Sequence, residues 1–296
     1  MVETLTTMFS GHGRRAMAMS KVPTVVTEDN VYQEADDNIL PILDDMVETL
    51  ALPGSGLDGL ENLEELLALA ESGKSCMLLV EHYSNMDLSI VSLMARKAGG
   101  RGEQIGRALV AIAGMKLNED NPAVAAFAGA YSRIVIYPSR SLHDMGLDEE
   151  KYEAEHNRSR AINRAAMKAL NEVKTKGKLI LVFPSGTRYR SWDPESKKGV
   201  REIDSYIRCF DYFCFVALNG QVLHVQKTDM MNDAVTKDLI RVTAGKVMSC
   251  ADFRKEVRAR TPGTEDKKQA VADAIMANLE EMHIAAEEKR LKLLQG

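Results

Sequence analysis

The sequence predicts an α/β protein, a mainly parallel mixed sheet covered by helices with a small N-terminal helical region, and two observations carry that prediction. From Met77 onward, apolar runs of strand length alternate with longer segments of helical period. Each run also empties into a turn rich in Pro, Gly, Ser or charged residues, as parallel strands do where they hand over to a helix.

Taken in order, residues 1 to about 30 are polar and weakly patterned and read as a mobile arm. Ile39, Leu40, Leu43, Met46, Val47 and Leu50 share one helix face, which "LPGSG" terminates. A second helix near Leu57–Glu71 turns Leu63, Leu66, Leu67 and Ala70 inward. Arm and helices make an N-terminal region, 1–70, and residues 71–296 make the α/β domain with its C-terminal helix. Within it, strands are expected at Met77–Val80, Ala108–Ala113, Ile134–Tyr137, Leu179–Phe183 and Phe213–Leu218. Helices are expected up to about Ala98, around Ala123–Ala130 and over Glu153–Lys176, where Ile162, Ala166, Leu170 and Val173 align and Gly177 is the stop. Ile275, Leu279, Met282 and Ala286 give the last helix an apolar stripe; its mixed-sign polar face favours docking on the domain over lying on a membrane.

Composition narrows the function classes. With 38 basic against 43 acidic residues the chain has no global basic field, so nucleic acid is not an expected partner and any anion site must be local. Cys76, Cys209, Cys214 and Cys250 have neither zinc-site spacing nor disulfide-scaffold density, which points to buried thiols in a reducing, cytoplasmic setting. No apolar run reaches the roughly 18 residues a bilayer span needs.

Chemistry concentrates at three strand ends. "EHYSNMD" places His82 and Asp87 in a strand-to-helix turn, where a carboxylate on one imidazole nitrogen fixes the tautomer and leaves the other to take a proton. "VFPSGTRYR" carries Arg188 and Arg190 on a turn in which Gly186 permits close backbone approach, and the two guanidinium forks suit one phosphate. "YPSRSLHD" adds Arg140 and His143. In a parallel sheet these ends share an edge, so they converge on a pocket fit for a phosphorylated substrate with a free hydroxyl. His82 and Asp87 have no third ligand nearby in sequence, so no metal is expected.

Those residues carry a resemblance. "EHYSNMD" is similar to the His-x4-Asp motif of the glycerolipid acyltransferases, and "VFPSGTR" resembles their Phe-Pro-Glu-Gly-Thr-Arg motif, in the right order. Within that superfamily "PSGTRYRSWDP" and "YPSRSLHDM" most resemble the soluble glycerol-3-phosphate 1-O-acyltransferases of the plant chloroplast stroma, over roughly residues 60 to 225. The resemblance implies that His82 is the general base and Asp87 its orienting partner. It implies that Arg140, His143, Arg188 and Arg190 bind the phosphate of glycerol-3-phosphate, and that Ser185, Gly186 and Thr187 contact the substrate or the oxyanion. Backbone amides near Gly186 or in the 81–86 turn are both open as oxyanion donors. The implied partners are glycerol-3-phosphate and an acyl thioester, acyl-carrier protein or acyl-CoA, with no cofactor. The setting would be the cytoplasm, or the plastid stroma in a plant, with peripheral membrane contact a further expectation. Ser185 stands where the broader superfamily has glutamate, as in the stromal branch, and the N-terminal region is short for that branch's helical bundle. Lys197, Lys198, Arg201 and Arg208 are candidates for docking an acidic carrier protein. The alternatives are a lysophosphatidate acyltransferase, sharing dyad and phosphate site, and a noncatalytic module binding phosphate or anionic lipid. A serine hydrolase built on Ser185 lacks the nucleophile-elbow spacing.

Overall fold

The computed structural model describes residues 3–119, 121–138, 148–228 and 230–295. Its helices are α1 (Leu5–Met19), α2 (Leu40–Leu50), α3 (Leu60–Glu71), α4 (Asp87–Lys97), α5 (Gly102–Ala108), α6 (Lys116–Glu119), α7 (Pro122–Ala128), α8 (Glu149–Val173), α9 (Ile203–Cys209), α10 (Cys250–Arg260) and α11 (Lys267–Gln295). The strands are β1 (Tyr32–Gln33), β2 (Gly56–Asp58), β3 (Cys76–Val80), β4 (Leu109–Gly114), β5 (Arg133–Ile136), β6 (Leu179–Val182), β7 (Tyr212–Asn219), β8 (Leu223–His224), β9 (Ala234–Val235), β10 (Arg241–Ala244) and β11 (Met248–Ser249).

The main sheet runs β1-β5-β4-β6-β3-β7-β10-β2, with β11 also on β7, while β8 and β9 form a separate pair. From β5 to β7 every neighbour is parallel; β1 and β10 join antiparallel at the two flanks. The strands predicted from apolar runs are thus the parallel centre. They are buried on both faces, which is why they read as continuous apolar runs rather than alternating ones. Along β3, Cys76, Leu78 and Val80 face one core, shared with α1–α5, and Met77 and Leu79 face the other, shared with α8–α11. The long helix forms as expected: Asp148 caps its first turn by accepting from Lys151 N–H at 3.0 Å, and Ile162, Ala166 and Leu170 are buried. Gly177 follows it at φ 70°, a left-handed conformation that glycine adopts without strain.

Two readings are corrected. The N-terminal arm is ordered as α1, whose Thr4 and Thr7 form a reciprocal capping box and whose Leu5, Phe9 and Ala16 are buried. Its apolar stripe is thin and includes the buried Gly13, which has no side chain to register, so the linear pattern is faint. The sheet is also wider than the apolar runs indicate, because β1, β2, β10 and β11 are two to four residues long and lie at its flanks.

The four cysteines are free, and burial pushes the Cys76 and Cys214 thiols up to about 12, so neither is a nucleophile at neutral pH.

One charge sits oddly in this core. Arg133 opens β5 in register with Ala111, which in turn faces Leu181, so the three lie side by side. It is 2% exposed, and among the described residues none of its guanidinium nitrogens has a hydrogen-bond partner. Burial lowers its pKa to about 10. A desolvated, unpaired cation costs several kcal/mol, so Arg133→Met is expected to raise the unfolding free energy by about 1–3 kcal/mol in urea denaturation. A lower midpoint for the variant would show that the guanidinium is compensated.

Candidate active site

Because β6 lies directly beside β3, with Leu79 opposite Val182, the turns that follow these two strands meet. The first carries His82 and Asp87, and the second runs from Phe183 to Arg190. Tyr189 N–H donates to His82 carbonyl oxygen at 2.8 Å, stitching the turns together. Phe183 stacks on the His82 imidazole, with centroids 3.9 Å apart and planes 13° apart, so the apolar end of β6 sets the ring's tilt.

His82 Nδ1 lies 2.9 Å from Asp87 Oδ2. The same Oδ2 accepts from the backbone N–H groups of Tyr83 at 2.6 Å and Ser84 at 2.9 Å, and Oδ1 accepts from Ser84 Oγ at 2.7 Å. Asp87 opens α4 and is 3% exposed, so its charge is held by four donors and the helix N-terminus instead of water. An ionised carboxylate can only accept, which puts the shared proton on Nδ1 when the ring is neutral. Nε2 is then a bare lone pair, and among the described residues it has no protein partner. The dyad read from the five-residue spacing is therefore assembled.

The second turn is built by its own side chains. Gly186 sits at φ 63°, with its N–H donated to Phe183 carbonyl oxygen at 2.9 Å, and an added Cβ would lie 3.0 Å from Val200 Cγ1. Ser185 is buried and its hydroxyl donates to Thr187 carbonyl oxygen at 2.6 Å, so it shapes the turn and is held away from any nucleophilic role. Thr187 Oγ1 accepts from Arg190 Nη2 at 3.1 Å. Arg190 is the more open of the two arginines and lines a groove of about 460 Å³ with Thr187, Ser196, Lys198 and Gln269. It pairs loosely with the Asp193 carboxylate at 3.5 Å. Arg188 is different: Nη1 donates at 2.6 Å to Oδ2 of Asp233, a wholly buried carboxylate that no motif in the sequence signals. One arm of its fork is thus taken, and Nε and Nη2 have no partner among the described residues.

The amides weighed as oxyanion donors are narrowed by these bonds. Those of Tyr83 and Ser84 go to Asp87, that of Met86 to Ser84 Oγ at 3.1 Å, and that of Gly186 to Phe183. The amides of Asn85 and Thr187 have no partner among the described residues. Arg140 and His143 lie outside the described residues. Of the basic quartet weighed for carrier docking, Lys197 pairs with Glu280, Lys198 with Glu195 and Arg201 with Asp266, which leaves Arg208 exposed and without a carboxylate partner among the described residues. That surface is largely neutralised.

Sequence reasoning missed Phe183, Asp233, Glu81 and Tyr83. Only Glu81 left a signal, a carboxylate directly after an unbroken buried strand. It is 4% exposed and accepts from Leu218 N–H at 2.8 Å and Tyr83 Oη at 2.8 Å.

Residues 57–235, more than half of the chain, match the family model described as Acyltransferase. The chain belongs to the acyltransferase family. Both turns lie within the matched span, which supports the glycerolipid acyltransferase superfamily. No curated protein matches the chain. No described helix is long and apolar enough to cross a membrane.

The Arg188–Asp233 pair makes a direct prediction. Arg188→Ala removes the guanidinium from a fully buried carboxylate that Gln226 N–H also bonds, so it is expected to lower the unfolding free energy by about 1–3 kcal/mol, measured by urea denaturation at neutral pH. Gly186→Ala should cost about 1–2 kcal/mol, because an L-residue is strained at that φ and its Cβ crowds Val200.

Proposed function

We propose that this acyltransferase is a glycerol-3-phosphate 1-O-acyltransferase, moving a fatty acyl group from acyl-carrier protein or acyl-CoA to glycerol-3-phosphate to give lysophosphatidate. The observation that carries the reading is the meeting of the His82–Asp87 dyad with the arginine turn across two adjacent strand ends. It joins a base for a hydroxyl to cations for a phosphate, the two features of this acceptor.

In this reading His82 Nε2 takes the proton of the acceptor hydroxyl as its oxygen attacks the thioester carbonyl. The tetrahedral oxyanion collapses, the C–S bond breaks, and the imidazolium returns its proton to the departing thiolate. Asp87 holds the ring in the needed tautomer and stabilises the imidazolium. No acyl-enzyme forms, in keeping with a Ser185 hydroxyl already engaged in its turn. Arg190 and the free arm of Arg188 hold the phosphate, with Arg140 and His143 as further candidates, and fix the hydroxyl beside the base, a positioning gain of several kcal/mol. Unpartnered amides of the two turns, those of Asn85 and Thr187 among them, are the candidates for the oxyanion. The end of α11 leaves Leu291, Leu293 and Leu294 exposed beside Lys289 and Lys292, a combination suited to peripheral contact with an anionic bilayer, into which an acylated product partitions.

The test offers glycerol-3-phosphate and lysophosphatidate separately, each with acyl-CoA or acyl-carrier protein, and identifies products by mass spectrometry. Lysophosphatidate should form from glycerol-3-phosphate, and His82→Ala should lower kcat by about 10²–10⁴-fold. Arg190→Ala is expected to raise KM for the acceptor on the order of tenfold or more with kcat little changed. Phosphatidate as the sole product would reassign the acceptor to lysophosphatidate. Phosphate-ligand binding without any turnover would reduce the site to a binding module.

A further inference from the structure

The family match ends at residue 235, yet α11, far beyond it, contacts the turn that carries the dyad. His283 on this helix places Nδ1 2.9 Å from Glu81 Oε2 and 3.3 Å from Tyr83 Oη. Glu81 and Tyr83 are the two residues that flank His82. Glu81 is anchored to β7 through Leu218 N–H, and Tyr83 N–H makes the 2.6 Å bond to Asp87 Oδ2. His283 and Glu81 thus hold the Tyr83 phenol, while the backbone of the same residue holds Asp87, the partner of His82.

The helix holds the other turn as well. Gln269 Nε2 donates to Gly199 carbonyl oxygen at 3.1 Å, and a Cβ on Gly199 would lie 2.9 Å from Ala272 carbonyl oxygen, so helix and loop are in close contact. Glu280 pairs with Lys197, whose ammonium sits 5.6 Å over the Tyr189 ring, and Tyr189 meets Tyr83 edge-on at 6.1 Å. The helix is itself fixed by burial of Val271, Ala272, Ile275 and Leu279 in the core.

We propose that His283 is a positioning residue of the active site, fixing the turn that carries His82 and Asp87 through its bonds to Glu81 and Tyr83. Residues outside the family span thereby make the C-terminal helix a working part of the site. The proposal rests on the acyl-transfer reading for its kinetic consequence but not for its structural one.

The pairing is charge-sensitive. Burial alone would lower the His283 pKa, but the hydrogen bond and charge of Glu81 more than offset it and raise the pKa above 6.5. Glu280 adds to the rise and Lys197 opposes it; Glu287 and Arg290, paired with each other, are further charges on the same helix face. Burial and the Glu81 charge push the Tyr83 phenol well up, so it stays protonated and keeps donating to Glu81. For a group whose folded pKa is raised, the stabilising contact is complete below the unfolded value and declines as pH rises through the folded one. The charged His283–Glu81 pair is therefore present on the acid side and weakens toward alkaline pH, where a neutral ring still donates from Nδ1.

The experiment compares wild type, His283→Ala, His283→Asn and Glu81→Gln by steady-state kinetics from pH 5.5 to 8.5, and by hydrogen exchange of the Tyr83 and Ser84 amides. His283→Ala is expected to lower kcat by about 10- to 100-fold with acceptor KM unchanged, and to speed exchange at both amides at least tenfold. His283→Asn, whose side-chain amide can stand in for Nδ1–H, should recover most of kcat, and the ratio of wild-type to His283→Asn kcat should fall as pH rises. Glu81→Gln keeps the Leu218 contact and supplies the same comparison should His283→Ala fold poorly. Unchanged kcat and unchanged exchange in His283→Ala, or a pH-independent ratio with no rescue, would overturn the positioning role while leaving acyl transfer intact. Accelerated exchange in a protein that transfers no acyl group to any acceptor would uphold the positioning role and overturn the functional reading.

Discussion

The Asp87 carboxylate is the constraint on which this site depends. It is almost wholly buried and accepts from His82 Nδ1, from two consecutive backbone amides and from a serine hydroxyl. Each of those bonds does a different job. The two amides fold residues 82–87 into a turn, the hydroxyl fixes the second carboxylate oxygen, and the imidazole bond decides which ring nitrogen is left bare. A buried charge that lost these donors would cost several kcal/mol, so turn geometry and imidazole tautomer are maintained by the same energy.

The parallel sheet turns this local device into a site. Residues about a hundred positions apart meet because β3 and β6 are neighbours in register, and their carboxyl ends open on the same edge. Phe183 stacks on the His82 imidazole, Tyr189 N–H bonds the His82 carbonyl oxygen, and the arginines follow within the same turn. Asp233 sets one arginine rigidly and leaves the other open to the adjoining groove, so the two forks are unequal partners for an anion.

Much of this was legible in the sequence, for identifiable reasons. Strands buried on both faces appear as unbroken apolar runs, and Met77–Val80, Leu179–Val182 and Phe213–Leu218 stand out as such. The dyad and the arginine turn were legible because their chemistry is local, five and two residues apart. Edge strands of two to four residues carry no period, and α1 hides its core face behind Gly13 and Ala16. Contacts such as Asp233 with Arg188 and His283 with Glu81 depend on how the chain returns across 45 and 202 residues, and no linear pattern encodes that return. His283, which sits on a heavily charged helix, reads as solvent-facing for that reason; the structure half-buries it against the dyad's turn.

Asp87 holds neutral His82 with its proton on Nδ1 and leaves the Nε2 lone pair bare. Nitrogen-15 NMR of the histidine rings, with His82 assigned by its loss in His82→Ala, measures this tautomer directly. The Nδ1–H form is expected in the wild type, and its erosion in Asp87→Asn, whose side-chain amide can donate as well as accept. A neutral wild-type ring carrying its proton on Nε2 would contradict it, because the nitrogen assigned to the substrate would then have no lone pair to offer.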